Sequence, residues 1–177
     1  MNVILCGLPM TGKTTIGKAL AKELQWYFLD SDEMIEWKYK EEHKKRLSCR
    51  QIFHLEGEDH FRKREKHAIE SLKERDECII AVGGGAFQCP HNVLLLKATN
   101  LIVYLETPLE DLFKRMDALP AYLDPNAPIA SFEELAKQRI PIYEKSADVI
   151  VSTENKSKKE IVQQIIKRTP PKHRIKE

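Results

Sequence analysis

No apolar run in this sequence approaches the roughly 18 residues that a membrane-spanning helix needs, and the first residues enter a strand-like run without a charged leader or cleavage site. The expectation is a chain with neither membrane span nor secretory leader. An excess of one charge is missing too. The 29 Lys+Arg nearly balance 27 Asp+Glu, and a net +2 gives no case for general nucleic-acid binding, so anion recognition must be local. Cysteine is sparse and unpatterned. Cys6, Cys49, Cys78 and Cys89 show no C-x-x-C spacing and two lie in apolar runs, which fits reduced core thiols and a cytoplasmic setting better than a disulfide frame or a zinc centre. Repeats and linkers are lacking, and 177 residues leave little room for a second domain.

What is present is organised around Gly7-Leu8-Pro9-Met10-Thr11-Gly12-Lys13-Thr14-Thr15, which matches G-x-x-x-x-G-K-[ST], the phosphate-binding loop. Gly7 and Gly12 allow positive φ, so consecutive amides can turn inward onto a phosphate. The nucleotide would lie against Pro9 through Thr15, with Lys13 reaching the β- and γ-phosphates, Thr14 ligating Mg²⁺ and the next helix adding its N-terminal dipole. Strand-like residues 2–6 precede the loop and a helical pattern over Lys13–Leu24 follows it, as the motif requires.

Further strand-like runs cover 26–29, 78–82, 101–105 and 148–152. The first ends in Asp30-Ser31-Asp32, with a helix expected from about Glu33. One of the three residues can cap that helix, but capping needs no second carboxylate. Residues 38–50 are dense in charge and read as a solvated helix surface and connection. A helix opens near Gly57 with Phe61, Ala68, Ile69 and Leu72 on its apolar face, while His54, His60 and His67 read as surface or capping residues. Gly83-Gly84-Gly85, after the third strand, could offer bare backbone amides to a substrate. Pro108 opens a helix reaching about Met116, Asp117 to Ala130 reads as a mobile functional loop, and a last helix spans about Ser157 to Arg168. Arg139 is a candidate anion ligand. Alternating strands and helices imply an α/β fold, three layers with a parallel sheet of about five strands covered on both faces.

Taken together, the phosphate loop, Asp30-x-Asp32, Ile52-Phe53 with Gly57-Glu58-x-x-Phe61-Arg62-x-x-Glu65, Gly83-Gly84-Gly85 and Arg139-x-x-x-Tyr143 resemble the shikimate kinases in order and spacing, up to about residue 160. The resemblance implies a P-loop kinase domain over residues 1–168, of the nucleoside-monophosphate-kinase-like fold, with a lid near 117–130, a shikimate-binding region near 31–62 and a loose tail at 169–177. It implies ATP and shikimate as substrates, Mg²⁺ as cofactor, no nucleic-acid or membrane partner, and a monomer. Carried over by position, Asp32 would accept the proton of the 3-hydroxyl, Asp30 with Thr14 would serve the Mg²⁺ shell, Arg62 and Arg139 would clamp the shikimate carboxylate, and Gly83, Gly84 and Gly85 would lie against the substrate.

The sequence departs from the family at two cations. Leu119-Pro120-Ala121 stands where a lid arginine precedes proline, so either Arg115 takes that part in catalysis or turnover is slower. Lys156 replaces the arginine that stacks on adenine. The connection between Asp32 and Arg62 is also several residues longer than usual. Two other functions remain open on the residues alone: another small P-loop kinase acting on gluconate or a nucleoside monophosphate, and a catalytically weak ATP- or metabolite-binding protein.

Overall fold

Five short strands form one parallel sheet in the order β2-β3-β1-β4-β5, where β1 is Val3–Cys6, β2 Tyr27–Asp30, β3 Cys78–Ala81, β4 Leu101–Glu106 and β5 Val149–Ser152. The structure is a computed structural model that describes residues 1–115 and 123–170. Strand periodicity divides β1 between two cores. Val3 and Leu5 point to one face, where they meet Ile16 and Leu20 of α1 (Lys13–Leu24) and Ile161 and Ile165 of α8 (Lys158–Ile166). Ile4 and Cys6 point to the other, where Ile69 of α4 (Glu58–Glu70), Leu96 of α5 (Pro90–Thr99) and Phe132 and Tyr143 of α7 (Pro128–Ser146) cover them. Burial on both faces is why β1 and β3 read as continuous apolar runs.

A third, smaller core joins three consecutive helices. Ile35 and Tyr39 of α2 (Ser31–His43), Ile52 of α3 (Cys49–Glu56) and Phe61 and Ala68 of α4 pack on one another. Arg64 pins the outer rim of this unit: its Nε donates to Glu56 at 2.6 Å, its Nη1 to Glu42 at 2.7 Å, and its guanidinium lies 5.0 Å from the Tyr39 ring centre. The charged stretch 38–50 is thus partly a scaffold, and its end is more than a solvated surface because Cys49 and Arg50 line the cleft.

Several expected boundaries shift. The helix after β2 starts at Ser31, two residues early, because Asp30 is its N-cap and accepts the Asp32 amide at 3.1 Å. The helix after β4 is shorter than expected: α6 runs Leu109–Lys114 with Pro108 as N-cap. Residues 128–130, expected in the lid, are the first turn of α7, with Pro128 at the position where a missing N–H costs nothing. Neither α3 nor α5 has a counterpart among the elements expected above, although Pro90 opens α5 as Pro128 opens α7. Residues 123–127 of the expected lid are turns and bends, while its part from 117 to 122, Leu119 included, and the tail from 171 lie outside the described residues. Among the described residues, no helix is long and apolar enough to cross a membrane.

Strand register fixes where the chemistry gathers. Leu5 is level with Ala81, Asp30 with Ala81, Cys6 with Tyr104 and Glu106 with Ser152. The phosphate loop, Asp30-Ser31-Asp32, the three glycines, Thr107 and Thr153 therefore leave the sheet at one edge. At β1 the chain order reverses direction across the sheet, the place where open α/β sheets hold ligands.

Candidate active site

Above that edge lies a cleft of about 770 Å³ whose floor is the phosphate loop. Gly7 and Gly12 take φ of 147° and 87°, and a side chain on Gly7 would meet the Leu105 carbonyl oxygen at 2.8 Å, so both glycines are required by geometry. Lys13 folds back over the loop and donates from Nζ to the carbonyls of Gly7 and Leu8 at 3.0 and 2.9 Å. Burial pulls its pKa down while the Asp32 carboxylate opposes the shift. Pro9, Met10, Thr11, Thr14 and Thr15 also border the cleft.

Met10 holds φ at 65°, a left-handed conformation that an L side chain adopts at a cost of about 1–2 kcal/mol. Replacing it with glycine removes that strain but adds freedom to the unfolded chain, so Met10→Gly is expected to stabilise the protein by about 0.5–1 kcal/mol. A thermal melt checks this, and a lower melting temperature would show that the Met10 side chain contributes more than its backbone costs.

The two acids after β2 divide their work. Asp30 accepts the Asp32 amide with Oδ1 and the Thr14 hydroxyl with Oδ2 at 2.8 Å, so one carboxylate caps α2 and ties the loop's threonine to the second strand. Asp32, on the first turn of α2, is pushed up to about 7, first by burial and then by the neighbouring Asp30 charge, with Lys13 pulling the other way. Its carboxylate is packed against β3's glycines: a Cβ on Gly83 would lie 2.5 Å from Asp32 Oδ1.

The other two glycines make room in the same way. A Cβ on Gly84 would stand 2.9 Å from Arg139 Nη1, and one on Gly85 would collide with the Arg62 guanidinium. Three consecutive glycines therefore admit three functional side chains, a role that differs from offering bare amides. The Gly83 amide already donates to Ser31 Oγ at 2.9 Å, and the Gly84 carbonyl accepts the Tyr143 hydroxyl at 2.5 Å. Arg139 and the fully buried Tyr143 share a face of α7 at i and i+4, which brings both onto Gly84. Arg62 donates to Glu65 at 2.9 Å and to Glu58 at 3.3 Å. Burial lowers its pKa but those carboxylates more than offset this, so it remains a fixed cation. Glu65 is itself only 3% exposed, and its pKa is raised by burial against the pull of Arg62.

Toward β5, Arg115 Nη1 approaches the Met10 carbonyl at 3.5 Å at the rim of the phosphate loop. Lys156 donates to the Ser152 carbonyl at 2.9 Å, and Thr153 shares a buried hydroxyl contact of 2.7 Å with Thr107. Lys156, Thr153 and Lys158 all border the cleft. Every site residue expected from the sequence thus gathers here, with Arg139 entering through its contact with Gly84. Cys49, Arg50, Phe53, Thr153 and Lys158, which also line the cleft, were not among the expected ligands. Cys49, Arg50 and Phe53 fall inside the expected acceptor-binding region without having been singled out as ligands, whereas position in the chain carried no signal for Thr153 and Lys158, because the β5–α8 turn reaches the cleft only through packing. The four cysteines are free thiols. Among the described residues no three His, Cys, Asp or Glu side chains cluster as metal ligands.

The chain resembles known proteins over nearly its whole length. The family model described as shikimate kinase matches residues 9–170. The shikimate kinase of Hahella chejuensis is 44% identical over 168 residues, covering 94% of this chain and 84% of that protein. That of Haemophilus influenzae is 38% identical over 168 residues, with 93% and 90% covered. Among solved structures, the shikimate kinase from Acinetobacter baumannii in complex with shikimate superposes with a TM-score of 0.85 at 33% identity, covering 94% of this chain and 91% of that one. A gluconokinase from Sinorhizobium meliloti, at 16% identity and a TM-score of 0.52, shares the fold alone.

Proposed function

The chain belongs to the shikimate kinase family of ATP-dependent phosphotransferases, and we propose that its cleft moves the γ-phosphoryl group of ATP onto the 3-hydroxyl of shikimate, giving 3-phosphoshikimate and ADP on the route to chorismate and the aromatic amino acids. The observation that carries this assignment of residues is the packing of Asp32, Arg139 and Arg62 against Gly83, Gly84 and Gly85 beside the phosphate loop. A base next to two guanidinium groups is what an acceptor with both a hydroxyl and a carboxylate requires. The free thiols fit a reducing cytoplasm.

In the reaction the acceptor's O3 forms a bond to the γ-phosphorus as the bridging β,γ P–O bond breaks, ADP departs, and the hydroxyl proton passes to Asp32 Oδ. A carboxyl with a pKa of about 7 in the free protein is poised to do this near neutrality. Arg62, oriented by Glu65, and Arg139, beside Tyr143, hold the acceptor's carboxylate and so fix which hydroxyl faces the nucleotide. Lys13 leaves its loop carbonyls for the β- and γ-phosphate oxygens. Thr14 Oγ1 and Asp30 Oδ2, already 2.8 Å apart, are the hydroxyl and carboxylate that would hold Mg²⁺, directly or through its water. When bound there with ATP, that ion neutralises phosphate charge.

An assay of ADP release with shikimate, gluconate and nucleoside monophosphates as acceptors tests the proposal. Turnover with shikimate alone is expected, and its absence alongside turnover of another acceptor would overturn the reading. Arg115 reaches the phosphate loop at the Met10 carbonyl. Arg115→Ala is expected to lower kcat by about tenfold to a hundredfold with KM for shikimate little changed. Unchanged kcat in Arg115→Ala together with a gain in Leu119→Arg would show instead that the protein works without a lid cation.

A further inference from the structure

The first turn of α3 is fastened to the residue expected to take the proton. The Cys49 thiol donates to the Asp32 carbonyl at 3.3 Å, and the Cys49 amide donates to Glu36 Oε1 at 2.9 Å. A capping box between Ser48 and Gln51 fixes the same turn from its own side. Burial and the surrounding carboxylates Asp32, Glu36, Asp30 and Glu65 hold the Cys49 thiol protonated, so it acts here as a hydrogen-bond donor and anchor. The next residue, Arg50, therefore springs from backbone locked beside Asp32, and its side chain borders the cleft.

Arg50 differs from most other cations around that cleft. Lys13 is engaged by the Gly7 and Leu8 carbonyls, Arg62 by Glu65 and Glu58, Arg115 by the Met10 carbonyl and Lys156 by the Ser152 carbonyl. Arg50 has no ion pair or side-chain hydrogen bond among the described residues, although Asp30, Asp32 and Glu65 border the same cleft. A guanidinium on a fixed stem, facing a cleft and not neutralised by protein, is suited to an anion that arrives with the reaction. Lys158 is similarly unengaged, but it opens α8 at the nucleotide end, whereas Arg50 stands on the acceptor side next to Asp32.

We propose that Arg50 is a catalytic residue that binds the phosphoryl group in flight and then the 3-phosphate of the product, serving from the acceptor side the charge-neutralising role for which Leu119 provides no cation. The inference rests on the reaction proposed above. Its chemistry separates it from Arg62 and Arg139. Those two face a carboxylate present in both acceptor and product, while Arg50 faces a group that only the transition state and product carry on the acceptor.

Isothermal titration of shikimate and of 3-phosphoshikimate into the wild-type protein, Arg50→Ala and Arg50→Lys reads this directly. Arg50→Ala is expected to weaken 3-phosphoshikimate at least about tenfold and shikimate less than about twofold, with kcat falling about tenfold; Arg50→Lys restores part of the product affinity as a point charge without the planar fork. Equal losses for both ligands would assign Arg50 to general packing of the acceptor pocket. Unchanged product affinity would leave it a solvated residue. Either result overturns the inference. A wild-type protein that binds both ligands but phosphorylates a different acceptor would instead overturn the reaction, and the titrations would still distinguish the two.

Discussion

Lys13→Ala is expected to lower kcat by about 10²–10³-fold, a loss of roughly 3–4 kcal/mol of transition-state stabilisation, while the fold persists. Among the described residues the ammonium donates hydrogen bonds to two loop carbonyls alone, and water can replace it there at little cost once the side chain is gone. Burial already disfavours its charge in the free protein, so the lysine is held ready at some cost in stability. Alanine removes that cost along with the function. The expected melting temperature is within a few degrees of wild type, and steady-state kinetics beside a melt provide the check. Retention of a tenth or more of wild-type kcat would mean that the loop amides alone carry the phosphate charge.

Two kinds of information in the chain had different legibility. The phosphate loop could be read because its function depends on local backbone shape: two glycines at fixed spacing, a lysine and a threonine between a strand and a helix. The sheet was equally plain, since burial on both faces makes its inner strands β3, β1 and β4 short apolar runs. What joins residues far apart in sequence was harder. The three glycines read as a surface for substrate, yet their lack of Cβ atoms is first an accommodation of Asp32, Arg139 and Arg62, from three different helices. Glu65 and Tyr143 stood inside recognised motifs without roles until their contacts with Arg62 and Gly84 supplied them. Residues 38–50 looked like solvated surface because charge dominates their composition, and composition says nothing of a terminal turn held onto Asp32 by a cysteine. Capping explains the shifted boundary at Ser31. Asp30 serves as cap and as partner of Thr14 at once, so a local signal and a site signal overlapped on one side chain.

Asp32 brings activity and stability into opposition, and Asp32→Asn should expose both. The asparagine keeps the shape but cannot accept the hydroxyl proton, so kcat is expected to fall about 10²–10⁴-fold. For the wild-type protein, kcat/KM for shikimate should rise about tenfold per pH unit below pH 7 and level off above it, because the free protein's base must be ionised and its pKa is about 7. The same shift has the opposite sign for folding. A carboxyl whose folded pKa lies above its ordinary value of 3.8 binds its proton more tightly in the folded state, so its contribution to stability is complete below about pH 3.8 and is lost as pH rises to about 7. At pH 8 the wild-type protein thus bears a buried charge, opposed in part by Lys13, that the asparagine does not. Asp32→Asn is expected to be more stable there by about 1–3 kcal/mol, seen as a melting temperature several degrees higher, with the difference shrinking as the pH is lowered toward 4. Melts of both proteins across that range, beside the pH–rate profile, decide the matter. A variant that is inactive yet no more stable at pH 8 than wild type would mean that Asp32 is ionised without strain and that burial does not set its pKa.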